Sequence, residues 1–521
     1  MHKNRSFSGV SLLLLLVLLS ACATSSSQNP KTWLIQNARI IDGTGKPGLV
    51  GSVRVRGAII MDVGQLTPER GEEIVNASGY VLAPGFIDTH SHADQDLSTR
   101  PLATPVTSQG ISTVVFGQDG ESHYPLSDFY STWADKPAAI NIASFSGHNT
   151  LRHKVMGSDF QRHATLDEVT QMRAMLQNDL ESGALGLATG LEYDPGIFSN
   201  TDEVVSLAKL AAQHGGRYAS HIRSEDRHFE SAINEALTIG QRAKIPVHIS
   251  HLKLAMKSLW GRSDWLLQKL DYARDVGVNV TADVYPYEYW QSTLEVLFPK
   301  RDFNSLTTAQ EVLDNIAPAY GLLMSEYLPE PELVGKTVAQ IAKARGRSEA
   351  RTLLDLIADA QRYSRDNKLD DGSIVSSEMV IGTSMVREDV ADLIAWPFSN
   401  ICTDGGLNDR HPRAAGSFPR VLRWMVRNTG YLSLEQAVHR MTLQAAENIG
   451  LEKRGIIQQG AFADLVLFDP ETVDDRATPE YPQLQSVGIK QLWVNGVTVF
   501  EDGTSTPQRP GRVLRRAGRQ L

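Results

Sequence analysis

Short hydrophobic runs that alternate with polar positions mark both ends of the chain. Residues 33–83 show such runs between Gly and Asp turns, and residues 462–500 show the same pattern. Alternation with a period of two is typical of strands that bury one face. We therefore expect residues 33–83 and 452–505 to fold together as one small β-sandwich domain built from both ends of the chain.

The central residues 84–451 have a different pattern, in which short apolar runs alternate with helical segments. Thr165 followed by Glu168 is a capping box, for example, and predicts a helix over residues 166–182. Strands that alternate with helices pair in parallel, so eight such runs predict an α/β fold with a closed (β/α)8 TIM barrel. The eight runs are residues 86–87, 112–116, 139–143, 184–188, 217–219, 245–249, 278–282 and 398–402.

Residues 300–380 are too many for an ordinary connection between two barrel strands. Most connections in compact domains are far shorter. The pattern of residues 300–380 is mostly helical. We expect a helical insertion here, between strands seven and eight, which forms a cap on the barrel.

The first residues carry an export signal rather than part of the fold. Two basic residues precede an apolar run over residues 10–19, which is shorter than the about 20 residues that a membrane-spanning helix needs. The run ends in Leu-Ser-Ala-Cys, which resembles the lipobox of bacterial lipoproteins. The resemblance implies a signal peptide over residues 1–21, a lipid anchor on Cys22 and a flexible tether over 22–32. It places the protein at the periplasmic face of a bacterial membrane, the outer membrane being expected; the alternative is a plain signal peptide cleaved before Cys22.

The composition narrows the classes of partner and site. Lys and Arg number 51 against 60 Asp and Glu, which gives a net charge of −9. Such a charge repels a phosphate backbone, so we expect no nucleic-acid partner. Cys22 and Cys402 are the two cysteines in the sequence, which excludes a disulfide scaffold and a Cys-rich zinc site. We expect Cys402 to be a small buried core residue.

Histidines follow several of the predicted strands at the point where each strand ends. His90 and His92 follow strand one, and because side chains alternate along a strand they can hold one cation from the same side. His221 and His251 end the neighbouring strands five and six, and Asp404 ends strand eight. Active sites of (β/α)8 barrels lie at this end of the strands. We therefore expect these five side chains to converge.

Four imidazoles with a carboxylate suit Zn²⁺ or a similar transition-metal ion. Such an ion polarises a carbonyl and lowers the pKa of water. Asp404 is then placed to accept the proton of the water and pass it to a leaving amine. The sequence contains no Gly-x-Ser-x-Gly elbow, P-loop or clear dinucleotide fingerprint that competes with this chemistry. The residues predict metal-dependent hydrolysis of an amide.

At these residues the sequence resembles a known family. Ala-Pro-Gly-Phe-Ile-Asp-Thr-His-Ser-His, residues 83–92, is similar to the opening signature of the amidohydrolase superfamily. Further motifs narrow the resemblance to the N-acyl-D-amino-acid deacylases, also called D-aminoacylases, and it runs from about residue 33 to 500. These motifs lie at residues 219–225, 249–253, 403–406 and 411–413.

The resemblance implies roles for residues at the predicted site. It implies that the four histidines belong to a metal site and that Asp404 is the base. It also implies that Tyr193, Lys253 and Arg413 face the carboxylate of the substrate, which suits a point charge and a bidentate guanidinium. Ser292 is a further candidate for substrate contact by its position alone.

The chain departs from the family pattern after strand two. The family's usual Gly-Asn-Cys-Gly, whose cysteine is a metal ligand, is replaced by Gly-Gln-Asp-Gly, so Asp119 stands in the place of that cysteine. A carboxylate is a harder ligand than a thiolate and can bridge two ions. Glu121 is the other candidate for this role. The number of ions, one or two, stays open.

The expected function follows from the residues together with the resemblance. We expect a metal-dependent hydrolase that deacylates small N-acyl-D-amino acids, the D preference coming from the resemblance alone. One alternative in the same superfamily is a cyclic-amide hydrolase of the dihydroorotase or hydantoinase type, or a D-dipeptide hydrolase. Another alternative is a non-catalytic binding lipoprotein of the envelope, against which the complete set of histidines and Asp404 argues.

Overall fold

The computed structural model describes residues 31–367 and 377–516. The predicted signal peptide and the anchor residue Cys22 lie outside this part of the chain. Inside it, the chain forms a small β domain and a (β/α)8 barrel that carries an insertion. None of the helices described is both long and apolar enough to cross a bilayer.

The strands fall into four groups along the chain. The first group is β1 (Thr32–Ile40), β2 (Leu49–Arg56), β3 (Ile59–Gly64), β4 (Glu73–Asn76) and β5 (Val81–Pro84). The barrel group follows as β6 (Phe86–Asp88), β7 (Ile111–Phe116), β8 (Asn141–Ser144), β9 (Ser146–Gly147), β10 (Gly186–Gly190), β11 (Arg217–His221), β12 (Val247–Ile249) and β13 (Val280–Val284). The insertion holds β14 (Tyr289–Ser292), β15 (Leu322–Tyr327) and β16 (Glu378–Thr383). The last group is β17 (Ser399–Ile401), β18 (Leu465–Phe468), β19 (Ile489–Val494), β20 (Val497–Glu501) and β21 (Thr504–Ser505).

The α-helices lie between the barrel strands, in the insertion and after the barrel. Those up to the insertion are α1 (Thr104–Thr107), α2 (Leu126–Asp135), α3 (His148–Met156), α4 (Leu166–Ser182), α5 (Thr201–Gln213), α6 (Phe229–Ala243) and α7 (Ser263–Asp275). The others are α8 (Leu306–Asn315), α9 (Val338–Arg345), α10 (Glu349–Asp366), α11 (Arg387–Ala395), α12 (Arg413–Val421), α13 (Leu434–Met441) and α14 (Leu443–Ile449). The capping box predicted for α4 is present, since Thr165 and Glu168 each bind the other's backbone N–H.

The two ends of the chain meet in the small β domain, as predicted. Strand β18 pairs antiparallel with β5, and the sheet continues on both sides in the order β21-β20-β19-β18-β5-β1-β2-β3. Trp33 and Trp493 stack in its core with ring centroids 5.2 Å apart. The chain after β21 returns to the barrel, where Val513 pairs with Ile142 of β8.

The predicted barrel is confirmed, and each predicted run overlaps one of its eight strands, all of which lie within the described residues. They pair in parallel as two sheets, in the orders β6-β7-β8 and β9-β10-β11-β12-β13-β17. Strands β8 and β9 are interrupted at Phe145, whose N–H donates to the carbonyl of Phe116. The ring closes where Ser91 pairs with Gly405, next to a 2.9 Å hydrogen bond from the N–H of Asp404 to the carbonyl of His90.

The insertion lies between β13 and β17. It contains helices α8, α9 and α10 and also a three-stranded antiparallel sheet in the order β14-β16-β15, which the sequence pattern did not predict. Gly382 of β16 allows close contact with Trp290 of β14, since a Cβ at Gly382 would lie 2.3 Å from the indole ring. Cys402 is fully buried, as expected for a core residue.

Candidate metal centre and active site

Six of the predicted site residues meet at the carboxyl ends of the barrel strands. His90 and His92 follow β6, Asp119 follows β7, His221 ends β11, and His251 and Asp404 follow β12 and β17. Each strand ends at the same rim, so side chains that are far apart in sequence become neighbours. Ligand atoms of His90, Asp119, His251 and Asp404 all lie within 4.8 Å of one another. The convergence predicted from the sequence is therefore present.

The carboxylate of Asp119 lies between two pairs of histidines. Its Oδ2 is 3.3 Å from Nε2 of His90 and 3.3 Å from Nε2 of His92. Its Oδ1 is 3.2 Å from Nε2 of His251 and 3.9 Å from Nδ1 of His221. The Nδ1 of His221 and the Nε2 of His251 are 3.0 Å apart. Each carboxylate oxygen thus faces one histidine pair.

Asp404 completes the first of these two groups. Its Oδ1 lies 3.4 Å from Nε2 of His90 and 3.2 Å from Nε2 of His92, while its Oδ2 accepts a hydrogen bond from Arg413. Burial alone would raise the pKa of the Asp404 carboxyl, but the charges of Arg413 and the histidines outweigh it and hold that pKa well below its usual value. Asp404 is therefore an anion directed at the histidine pair.

Three of the site residues adopt a left-handed backbone conformation that is rare for residues other than glycine. The φ angles are 55° at Asp119, 36° at His251 and 50° at Asp404. Such conformations cost of the order of 1–3 kcal/mol each and cluster at functional sites. Asp283 of β13 supports one of them, because its carboxylate accepts a 2.5 Å hydrogen bond from the N–H of His251. The barrel holds these side chains in place against a local preference.

Gly190 and Gly120 allow close packing around the loop that carries Asp119. A Cβ at Gly190 would lie 2.0 Å from the carbonyl oxygen of Asp119, and a Cβ at Gly120 would lie 2.6 Å from the side chain of Asn149. Real Cβ atoms do not tolerate such distances, so larger residues at these positions would displace the loop after β7. The position of the Asp119 carboxylate thus depends on Gly190 and Gly120.

The donor set fits a divalent transition-metal ion. Both ring nitrogens of the fully buried His90 lack a hydrogen-bond partner, which is costly for a buried polar side chain. Burial would raise the pKa of Asp119, but His90 and His251 hold it well below its usual value. The buried Asp404 and the partly buried Asp119 face imidazole nitrogens, and together they form the mixed N and O environment that suits zinc and related ions.

Two further carboxylates lie behind the second histidine pair. Glu192 Oε2 is 3.0 Å from Nε2 of His221, and Glu225 Oε1 is 3.0 Å from Nδ1 of His251. Each contacts the ring nitrogen that points away from Asp119. Metal-binding histidines usually donate their other N–H to such a group, which fixes the tautomer and the ring orientation. Burial lowers the pKa of His221 to about 4, so its ring is neutral and able to bind a cation.

A pocket of about 510 Å³ opens beside these residues. All the predicted substrate-contact residues line it: Tyr193, Lys253, Ser292 and Arg413. The Nζ of Lys253 lies 2.5 Å from Glu225 Oε1. The Nε of Arg413 and the hydroxyl of Tyr285 are buried without a hydrogen-bond partner. Lys253 and Arg413 therefore bring two cations to the pocket, as a carboxylate ligand requires, and buried groups without a hydrogen-bond partner lie beside them.

The sequence missed several of these groups. Glu225 lies in a segment that the motifs include and Glu192 lies outside them, and nothing in the sequence indicates that Glu192 contacts His221 or that Glu225 contacts His251. The position of Tyr285 after strand seven is the one feature of the sequence that indicates its place in the pocket. Of the two candidates for the family's cysteine position, Asp119 belongs to the histidine cluster, whereas Glu121 lines the pocket outside it.

Comparisons with known proteins agree with this geometry. A model of the Amidohydrolase family matches residues 73–321 and 336–500. A D-aminoacylase of Alcaligenes xylosoxydans xylosoxydans is 34% identical over 518 residues, which cover 95% of this chain and 99% of that protein. An N-acyl-D-aspartate deacylase of the same organism is 35% identical over 508 residues, or 92% of this chain and 94% of that one.

A solved structure shows the same likeness in three dimensions. It is an N-acyl-D-glutamate deacylase from Bordetella bronchiseptica, in complex with zinc and a phosphonate inhibitor that mimics the tetrahedral intermediate of its reaction. The two chains are 34% identical and superpose with a TM-score of 0.81, over 94% of this chain and 100% of the other. The similarity therefore extends over both the barrel and the β domain.

Proposed function

The chain belongs to the amidohydrolase family, and we propose that it is a metal-dependent hydrolase that removes the acyl group from N-acyl-D-amino acids. The observation that carries this proposal is the convergence of four histidines, Asp119 and Asp404 at one rim of the barrel, beside a pocket with two cations. The products are a carboxylate and a free D-amino acid. Relatives that match nearly the whole chain support the substrate class.

The metal site proposed consists of His90, His92, Asp119, His221 and His251. A divalent ion held there supplies a Lewis acid that polarises the amide carbonyl and makes water a better nucleophile near neutral pH. Zinc is the ion that we propose, because imidazole and carboxylate donors suit it. The arrangement needs no nucleophilic side chain.

Asp404 is the proposed base. Its Oδ1 faces His90 and His92, and its low pKa keeps it deprotonated, as a base must be before it takes a proton. As a bond forms between the water oxygen and the acyl carbon, Asp404 takes the proton of the water. It then gives that proton to the nitrogen as the carbon–nitrogen bond breaks. Arg413 holds the other oxygen of Asp404 and keeps the carboxylate in this orientation.

Lys253, Arg413 and Tyr193 are the proposed contacts of the substrate's α-carboxylate, with Ser292 at the edge of the same pocket. The unpaired Nε of Arg413 and the unpaired hydroxyl of Tyr285 supply further donors there. The ring of Tyr285 lies 4.8 Å from the Arg413 guanidinium and 5.7 Å from the Lys253 ammonium group. A carboxylate between these groups is desolvated and paired at once, which orients the amide towards Asp404.

A panel of amides tests the proposal. The zinc-loaded enzyme is incubated with N-acetyl-D-methionine, a dipeptide of two D residues, dihydroorotate and hydantoin. We expect release of acetate from the first at a rate well above that of the others. Faster opening of a cyclic amide would support the alternative of a dihydroorotase- or hydantoinase-type enzyme. No hydrolysis of any amide by protein shown to contain metal would favour a binding protein.

We also propose that the chain is a lipoprotein at the periplasmic face of the outer membrane. The supporting observation is the Leu-Ser-Ala-Cys motif, which ends at Cys22 after a short apolar run. Lipid on Cys22 would fix the mature N-terminus to the membrane. Fractionation of cells that express Cys22→Ser tests this. Soluble periplasmic protein is expected, and membrane-bound mutant protein would contradict the anchor.

A further inference from the structure

The pocket beside the metal centre is lined by many more acidic than basic side chains. Among the described residues, nine carboxylates line it against three cations, which are Lys253, Arg410 and Arg413. Lys253 already contacts Glu225, and Arg413 contacts Asp404. The remaining cation, Arg410, lies exposed at the mouth. When the α-carboxylate of a substrate binds Lys253 and Arg413, the described part of the lining therefore has no buried cation left. A second carboxylate of that substrate would have no buried cation to pair with.

The part of the lining that comes from the insertion combines a group of apolar side chains with the polar Gln291, Ser292 and Thr293. Its members include Trp290, Val296, Leu297, Ile316 and Met379. The indole N–H of Trp290 donates to Ser384 at 2.7 Å, and its ring packs against Gly382, so this surface is fixed in shape. Such a surface suits an apolar side chain of the substrate, because contact between the two removes apolar atoms of both from water.

In the part of the pocket lining that the structure describes, the insertion contributes one charged side chain, the carboxylate of Glu326. Glu326 lies on β15, beside Met379 of β16, at a shift in the register of the two strands. It is exposed to the solvent of the pocket. A ligand carboxylate near Glu326 would be brought next to a like charge while losing water, which costs binding free energy.

We propose that this pocket selects N-acyl-D-amino acids with uncharged side chains and rejects those with a carboxylate in the side chain. The inference rests on the proposed deacylase function and names its substrate class. Overall similarity does not decide this point, since a D-aminoacylase and an N-acyl-D-aspartate deacylase match the chain at 34% and 35% identity. The discrimination comes from a repulsive element, Glu326, as much as from the apolar surface.

Pairs of substrates that differ in charge but not in size test the proposal. The zinc-loaded enzyme is assayed with N-acetyl-D-glutamine against N-acetyl-D-glutamate, and with N-acetyl-D-asparagine against N-acetyl-D-aspartate. We expect kcat/KM to be at least about tenfold higher for the neutral member of each pair, because the acid meets like charge without a counter-ion. Equal or higher values for the acids would overturn the proposal.

Substitutions that change the charge of one side chain then test whether Glu326 causes the discrimination between neutral and acidic substrates. Glu326→Lys should raise kcat/KM for N-acetyl-D-glutamate by about tenfold relative to N-acetyl-D-glutamine, since it replaces repulsion by attraction. Glu332→Lys is the matched control, because Glu332 is an exposed acid of the same insertion that does not line the pocket. If Glu326→Lys leaves the ratio of kcat/KM for the two substrates unchanged, the assignment of the discrimination to Glu326 is overturned.

Failure of the proposed function and failure of the inference on side chains give different results. If no N-acyl-D-amino acid, neutral or acidic, is hydrolysed by the metal-loaded enzyme, the proposed function is wrong. If the acidic substrates are hydrolysed best, deacylation stands and only the inference on side chains is overturned. Loss of such an acidic preference in Arg410→Gln would then identify the cation at the mouth as its cause.

Discussion

The Oδ1 atom of Asp119 lies 3.2 Å from Nε2 of His251, while its Oδ2 atom points to the other histidine pair. A thiolate at this position would offer a single sulfur atom to both pairs. A carboxylate offers two oxygens and is a harder ligand. We therefore expect the metal preference of this chain to depend on Asp119.

Replacement of Asp119 tests its role as a ligand. Asp119→Ala should lower the zinc content per chain, measured by mass spectrometry of the metal after dialysis, because the oxygens shared between the histidine pairs are lost. Asp119→Cys should retain metal and, with Co²⁺, add a thiolate-to-cobalt absorption in the near ultraviolet. Asp96→Ala, which removes a pocket carboxylate outside the cluster, is the control. Unchanged zinc in Asp119→Ala would remove Asp119 from the ligand set.

Glu192 should act through His221 rather than on the substrate. Glu192→Leu removes the acceptor that lies 3.0 Å from Nε2 of His221, and we expect metal affinity to fall about 10–100-fold. Glu192→Gln keeps an acceptor oxygen and should recover most of that affinity. Zinc titration of the two variants measures the difference. A purely structural role would give equal metal affinity in both, with a lower melting temperature.

Gly190 should be required for metal binding although it carries no side chain. Gly190→Ala places a Cβ 2.0 Å from the Asp119 carbonyl, so Asp119 must move and zinc content should fall together with activity. Gly215→Ala is the matched control, because that glycine has a φ of 72° and open space around it. The control should lose stability but keep its zinc. Normal zinc content in Gly190→Ala would show that Asp119 tolerates the shift or does not bind metal.

The parts of the fold that follow from local sequence patterns could be predicted from the sequence. The helix α4 begins and ends as its capping box and pattern predict, and the spacing of His90 and His92 places both at one rim. The sheet of the insertion could not be predicted, because β14 pairs with β16 across some ninety residues. Its strand β15 also lacks a regular alternation of buried and exposed positions.

The outer carboxylates of the site could not be predicted for a related reason. Glu192 meets His221 because β10 and β11 pair with Gly190 opposite His221. This register is fixed by the closed barrel and not by the residues next to Glu192. The four histidines and Asp404, by contrast, each directly follow or end a recognisable strand, so their convergence followed once the barrel was assumed.

Metal-dependent hydrolysis of one enantiomer is the reaction that the proposed site should carry out. Zinc-loaded protein, protein stripped by a chelator and stripped protein given back zinc are each assayed for acetate release from N-acetyl-D-methionine and N-acetyl-L-methionine. We expect release from the D substrate alone, which should be lost on stripping and restored by zinc. Equal release with and without metal, or release from the L substrate alone, would contradict it.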